Sequence, residues 1–391
     1  MNPKREVAAL QEELVRLRRD FHMYPELGFE EIRTGDKVAA YLEENGLEVS
    51  RLAKTGVIGL LKGEKPGKTL LLRADMDALP IQEQNELSYK SVHEEKMHAC
   101  GHDGHVAMLL VAAKILSAYK ERLAGNIKFV FQPNEEDAGA YLMIEEGAME
   151  NPSVDAVAGA HLWSNLCTGT VDICAGSVMA ASHYFFLTIK GKGGHAGYVD
   201  QAVDPIMISA NVIQAVQSMQ TRELDALSPV SIVFTRVNAG FNTTIVPEVL
   251  EMQGSIRFLF GDGSNIKENF ERIISNLCSA YRAEYDLSYK VGNEILINDP
   301  EMTVMARQAA VEILGDENNV KAGLRSMGGE DFSDFSRLVP GVFYFIGSGN
   351  QEKKTNYSLH HPCFNLDEDA LPIGTEMHIR VALKFFGLDG Y

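Results

Sequence analysis

Residues Met97 to His105 read MHACGHDGH, with Cys100 and His102 two residues apart in a stretch holding three histidines and an aspartate. On extended chain, residues two apart share a face, so both side chains can reach one ion. Thiolate and imidazole suit zinc and other borderline metals. The same pair could instead be a redox or nucleophilic thiol with its histidine. A second stretch, FQPNEED, sets Glu135 beside Glu136 after an apolar run. Adjacent side chains point in different directions. One carboxylate could bind metal while the other serves as a base, the division of labour that metal-assisted hydrolysis needs. A solvated acidic loop is the plainer reading. His161 closes the apolar run VDAVAGAHLW, where a satisfied core histidine is the common case. His360 and His361 precede a proline in SLHHPCF, and that proline restricts the local backbone. His195 sits between glycines in GKGGHAG, which suggests tight turning or close approach of backbone to a ligand.

Each signal alone is ambiguous. Together they supply a cysteine, histidines and carboxylates from separated segments, enough for two metal ions. Two ions about 3.5–4 Å apart can hold a bridging water and clamp a tetrahedral intermediate. The sequence has no Gly-x-Ser-x-Gly elbow, no Walker motif and no dinucleotide glycine fingerprint. The obvious serine-hydrolase, ATPase and dehydrogenase readings fall away.

These residues need elements to carry them. The runs VIGLLKG, KTLLLRADMDALP, GNIKFVFQPNEE and VDAVAGAHLW read as strands, and DGHVAMLLVAAKILSAYKERL has helical period. Such βαβ alternation predicts a mostly parallel sheet with helices on both faces, whose functional residues gather beyond the carboxyl ends of strands. From about residue 183 the order becomes βαββαβ, which predicts an antiparallel sheet with helices on one face. After about residue 298 the α/β style returns. The expected organisation is a larger domain of residues 1–182 and 298–391 with a smaller one, 183–297, inserted into it. Clefts between domains are common ligand sites.

A length of 391 residues accommodates two cores, and 45% hydrophobic with 23% charged residues is ordinary for a soluble globular protein. The net charge of -18 repels phosphate backbones, so no nucleic-acid partner is expected. No apolar run approaches the about 20 residues that span a bilayer, and the N-terminal stretch reads as an amphipathic helix rather than a signal peptide. A cytoplasmic protein with no membrane partner is expected. Its five cysteines are scattered and odd in number, unlike a disulfide framework.

The stretches FHMYPELGFEE, LLRADMDALPIQE, MHACGHDGHVAMLL, FVFQPNEE, GAHLW, GKGGHAG and LHHPCFNLDEDALPIG occur in order from about residue 12 to 385. In this they resemble the amidohydrolase branch of the aminoacylase and carboxypeptidase G metallopeptidase superfamily, which includes hippurate hydrolases, N-acyl-amino-acid deacetylases and indoleacetyl-amino-acid hydrolases. The resemblance implies a zinc-exopeptidase-like catalytic domain with two divalent ions (zinc, manganese, cobalt or nickel) and an inserted ferredoxin-like lid that often dimerises. A homodimer or higher homo-oligomer is therefore expected. It implies metal ligands at Cys100, His102, Glu136, His161 and His360, and a general base at Glu135. It further implies an oxyanion-stabilising histidine at His195, a substrate-carboxylate arginine at Arg257 and a ligand-orienting aspartate at Asp77. His360 is preferred to His361 because it follows leucine directly and stands two before proline. The family usually shows asparagine where this chain has Thr244, and proline where it has Val199. The implied reaction is hydrolysis of the amide bond of N-acyl amino acids, with a small N-acyl amino acid or short peptide as partner. The alternatives are a dipeptidase or carboxypeptidase of the same superfamily, a non-catalytic metal or peptide binder, and a cysteine hydrolase using Cys100 and His102.

Overall fold

The computed structural model describes residues 2–388, which form two compact units. Among the described residues the first comprises 2–176, Ile297–Leu324 and 331–388; the second comprises Ser177–Leu296 and Arg325–Glu330.

The first unit is built on an eight-stranded sheet. In chain order its strands are β1 (Glu48–Leu52), β2 (Gly56–Lys62), β3 (Lys65–Asp75), β4 (Ala124–Gln132), β5 (Ala156–Cys167), β6 (Val171–Asp172), β7 (Val320–Lys321) and β8 (Gly341–Gly349). Their spatial order is β1-β2-β4-β3-β5-β8-β6-β7. The central strands β4, β3, β5 and β8 run parallel, while β1 and β2 form an antiparallel edge. The continuous apolar runs in β3 and β8 follow from this position, because a central parallel strand is covered on both faces.

Three helices bear on the functional residues: α1 (Gln11–Met23), α2 (Ile32–Glu44) and α3 (His102–Ser117). In α3, 14 of 16 residues are buried. It is apolar on nearly every side, as a core helix must be. Along β5, Ala156, Ala158, Ala160 and Leu162 join the core that holds Val106 to Leu116 of α3. The alternate position Gly159 faces the other way, where an added Cβ would lie 2.9 Å from Phe343 and 3.0 Å from Phe332. Phe332 opens the short helix Phe332–Ser336. Helices thus cover both faces, and glycine at 159 lets the second one approach. Among the described residues no helix is long and apolar enough to cross a membrane.

The second unit is α+β. The strands Ala181–Lys190, Val230–Ala239, Val249–Phe258 and Glu284–Asn293 make one antiparallel sheet. In chain order they are first to fourth, and in space the order is second, third, first, fourth, the ferredoxin-like arrangement. Helices Pro205–Arg222 and Ser264–Ala280 bury Ile208, Val212, Val216, Phe270 and Ile274 against Phe185, Leu187 and Ile256 of the sheet. Within the same unit Ala180 N–H donates to Ser326 and Gly328 carbonyls.

Candidate active site

The pair Cys100 and His102 does not lie on extended chain. His102 is the first residue of α3, and Gly101 before it takes φ 91°, a left-handed conformation that glycine adopts without Cβ strain. That turn, rather than a two-residue strand repeat, aims both side chains at one place. His102 Nδ1 lies 2.9 Å from the Asp77 carbonyl, which can only accept. The proton is therefore on Nδ1, and Nε2 faces inward, buried and without a hydrogen-bond partner among the described residues.

His161 does not end its strand either. β5 continues to Cys167, but its pairing with β3 stops at Gly159. The residue is mid-strand in β5 yet past the last rung with β3. Its Nδ1 donates to the Leu162 carbonyl at 2.7 Å, and its Nε2 lies 3.4 Å from Cys100 Sγ.

Glu135 and Glu136 occupy a single 3-10 turn, Glu135–Asp137, after β4, entered through Asn134 at φ 55° and left through Ala138 at φ 58°. Two contacts hold this tight reversal: Asn134 N–H donates to Glu31 Oε1 (2.9 Å) and Glu136 N–H to Asp77 Oδ2 (3.1 Å). Glu135 Oε2 stands 3.9 Å from His102 Nε2. Glu136 Oε1 stands 3.3 Å from Nε2 of His360. His360 itself has φ 64°, and its N–H donates to the Ala99 carbonyl (2.8 Å), one residue before Cys100. His361 is committed elsewhere: its Nδ1 accepts from Cys363 N–H at 3.0 Å, and its ring stacks on Tyr357. Donor atoms of Cys100, His102 and His161 lie within 4.8 Å of one another, as do those of Cys100, Glu136 and His360, and of His102, Glu135 and Glu136. The six residues form one cluster in the first unit.

Its electrostatics ask for a cation. Burial pushes the Cys100 thiol well up, and Glu136, Glu135 and Asp75 push it further. Burial works against a charged His102, but Asp75 and Asp77 outweigh it and lift the ring to about 10. Burial drives His161 well down, helped by His105. A buried ring nitrogen without a partner is costly, and a divalent ion would displace the proton His102 retains in this field. The sulfur, imidazole and carboxylate donors suit a borderline divalent metal. The residues present fit such an ion.

Other residues around the cluster carry no sequence signal of comparable strength. Arg73 donates to Asp75 (2.7 Å), Gln132 (2.9 Å) and Asp331 (2.8 Å), all buried. Ionisable residues inside the apolar run LLLRAD mark Arg73 and Asp75 in the sequence, whereas nothing local points to Asp331. Asp103 turns away from the cluster and bonds Arg18 (2.9 Å) and His22 (2.8 Å) of α1, a buried tie between two helices.

His195 and Arg257 belong to the second unit. His195 is exposed, on a two-residue strand paired with Ile245–Val246, and its Nδ1 accepts from Gly197 N–H at 3.0 Å. Beside it, Thr244 donates both its N–H and its hydroxyl to Asn242 Oδ1 at 2.9 Å. Asn242 is thereby committed to that turn. Arg257 donates from Nη1 to the Met327 carbonyl at 3.0 Å.

Residues 71–384 match the family model described as peptidase family M20/M25/M40. The chain is 38% identical over 389 residues to thermostable carboxypeptidase 1 of Saccharolobus solfataricus, covering 98% of each chain. It is 35% identical over 379 residues to N-acetylcysteine deacetylase of Bacillus subtilis, covering 96% of this chain and 97% of that one. Among solved structures it is similar to the Bacillus subtilis YXEP protein, described as a dinuclear metal-binding peptidase of the M20 family. The TM-score is 0.84 at 33% identity, covering 97% of this chain and 99% of that one.

Proposed function

This chain belongs to peptidase family M20/M25/M40, and on that premise we propose that it hydrolyses the amide bond of N-acyl amino acids. Amide hydrolysis is the chemistry its relatives' names share. The N-acyl amino acid is the narrower reading. It draws on the relative named N-acetylcysteine deacetylase, while the observation that supports amide hydrolysis is Glu135 Oε2, 3.9 Å from His102 Nε2 in the donor cluster. A protein that only stored metal would have no use for a base there.

Cys100, His102, Glu136, His161 and His360 would hold two divalent ions, zinc, manganese, cobalt or nickel. When bound, such ions polarise the amide carbonyl and lower the pKa of a water towards neutrality. The Glu135 carboxylate accepts a proton from the attacking water as its oxygen bonds the carbonyl carbon. It then returns that proton to the amine nitrogen as the C–N bond breaks. The products are a carboxylate and a free amino acid, so no other reactant is needed. Cys100 acts through its sulfur as a ligand and not as a nucleophile. For the second unit, His195 is assigned to the oxyanion and Arg257 to the amino acid's carboxylate. His195→Ala should lower kcat and Arg257→Ala should raise KM; unchanged constants would remove either assignment. A homodimer is the proposed assembly, and a monomeric mass by light scattering would refute it.

A second reading, a carboxypeptidase or dipeptidase, draws on the relative named thermostable carboxypeptidase 1. One purified sample decides, by metal analysis and a panel of hippurate, N-acetyl amino acids and dipeptides. Two equivalents of metal with turnover of the N-acyl compounds are expected. Turnover of dipeptides alone favours the second reading, and a metal-loaded protein inactive on the whole panel overturns both.

A further inference from the structure

Strand β5 outruns its neighbour. Its pairing with β3 ends at Gly159, opposite Arg73, whereas its pairing with β8 continues through His161 and Leu162. Beyond that last rung no strand among the described residues pairs with the β3 side of β5. The Leu162 N–H donates to Nε2 of His105 at 2.8 Å. A ring nitrogen that accepts carries no proton, so the His105 proton is on Nδ1. There it donates to Asp75 Oδ1 at 2.6 Å, and Arg73 holds the other oxygen of that carboxylate at 2.7 Å. The same Leu162 receives, at its carbonyl, the Nδ1–H of His161 (2.7 Å). Arg73, Asp75, His105 and His161 are all buried. His105, His102 and Asp75 also bring donor atoms within 4.8 Å of one another, a grouping that could pass for a third ion site. Both His105 nitrogens are already engaged, so the ring has no lone pair to offer a cation.

We propose that His105 is a positioning residue. By anchoring Leu162 where β3 no longer reaches, it holds the His161 ring with Nε2 turned to Cys100. It thereby sets the affinity for the ion that His161 would hold. This rests on the two-ion reading above, and it gives a role to a histidine of the MHACGHDGH stretch that is not itself a ligand.

The test is cobalt titration of metal-free protein, read by calorimetry and by the thiolate-to-cobalt absorption that reports Cys100. Wild type should take up two equivalents. His105→Phe removes both hydrogen bonds at similar size. It should keep one equivalent at wild-type affinity and bind the other about 10- to 100-fold more weakly, with an altered absorption band. His105→Gln retains an acceptor and a donor and should recover most of the loss; it also decides the matter should His105→Phe fail to fold, by binding measurably weaker than wild type. Folded variants that bind both ions as wild type does, with the same spectrum, overturn the proposal alone. Wild type that takes up no cobalt overturns the two-ion reading and this proposal with it.

Discussion

Glu135 and Glu136 are chemically identical neighbours, and only their surroundings separate them. Glu136 faces His360 at 3.3 Å, and its N–H is tied to Asp77, whereas Glu135 faces His102. Glu135→Gln keeps the shape but has no basic oxygen to take a proton. It should drop kcat by at least about 100-fold with two equivalents of metal still bound. A Glu135→Gln protein with near-wild-type turnover would sink the base assignment. The histidine pair divides in the same way. His360 is held next to Cys100 through Ala99, and His361 is spent on Cys363 and Tyr357. His360→Ala should lose affinity for one metal ion and most activity, while His361→Ala should retain both ions. Equal metal contents in the two variants would contradict the assignment.

At the scale of elements, the site depends on where a helix starts and where a strand stops. α3 starts at His102 because Gly101 reverses the chain at φ 91°. An L-residue forced into that region costs about 1–2 kcal/mol. The ring Nδ1–H bond to Asp77 would also be disturbed. Gly101→Ala should therefore lower unfolding free energy by about that amount and weaken metal binding; denaturant melts with unchanged midpoint and full metal content would show the turn tolerates a side chain. β5, for its part, extends past β3 and so carries His161 beyond the strand that shields its earlier residues. The buried Arg18, His22 and Asp103 contacts fix α1 against the first turn of α3. They place a charged network near the cluster without adding a ligand to it.

For the whole molecule, stability should depend on pH through Glu31. Burial raises its carboxyl to about 7, Asp77 adds to the rise, and the bonds from Thr55 and Asn134 oppose it. An acid whose folded pKa lies above its unfolded value binds its proton more tightly when folded. Its contribution is fully present below about 4.5 and is lost as pH rises through about 7. Relative to Glu31→Gln, the wild-type protein should lose up to about 3 kcal/mol of unfolding free energy between those limits. Denaturant melts of both proteins at several pH values measure it, and a pH-independent difference would refute the assignment. The net charge of -18 weakens both proteins alike as carboxylates ionise, so the comparison isolates Glu31.

The residue types available and the alternation of elements are written in the chain order alone. Apolar runs of strand length and a helical period over residues 102–117 are local signals, and they led to a mostly parallel sheet and a separate βαββαβ unit without reference to distant contacts. The stretches around Cys100, Glu135 and His360 were likewise legible, because unusual residues stand close together in each. Tertiary structure decided what those side chains face. The left-handed turn at Gly101, the overrun of β5 beyond β3, the Asp331 carboxylate reaching Arg73 and the two bonds on His105 all join segments far apart in the chain. No periodicity encodes such pairings, since each depends on where two elements end relative to one another. The same limit applied to Asp103 and His105, neighbours in one short motif. Chain order makes them look alike, but two residues of helix, about 200° of rotation, send Asp103 to α1 and His105 to β5, so their chemistry parts where the fold does.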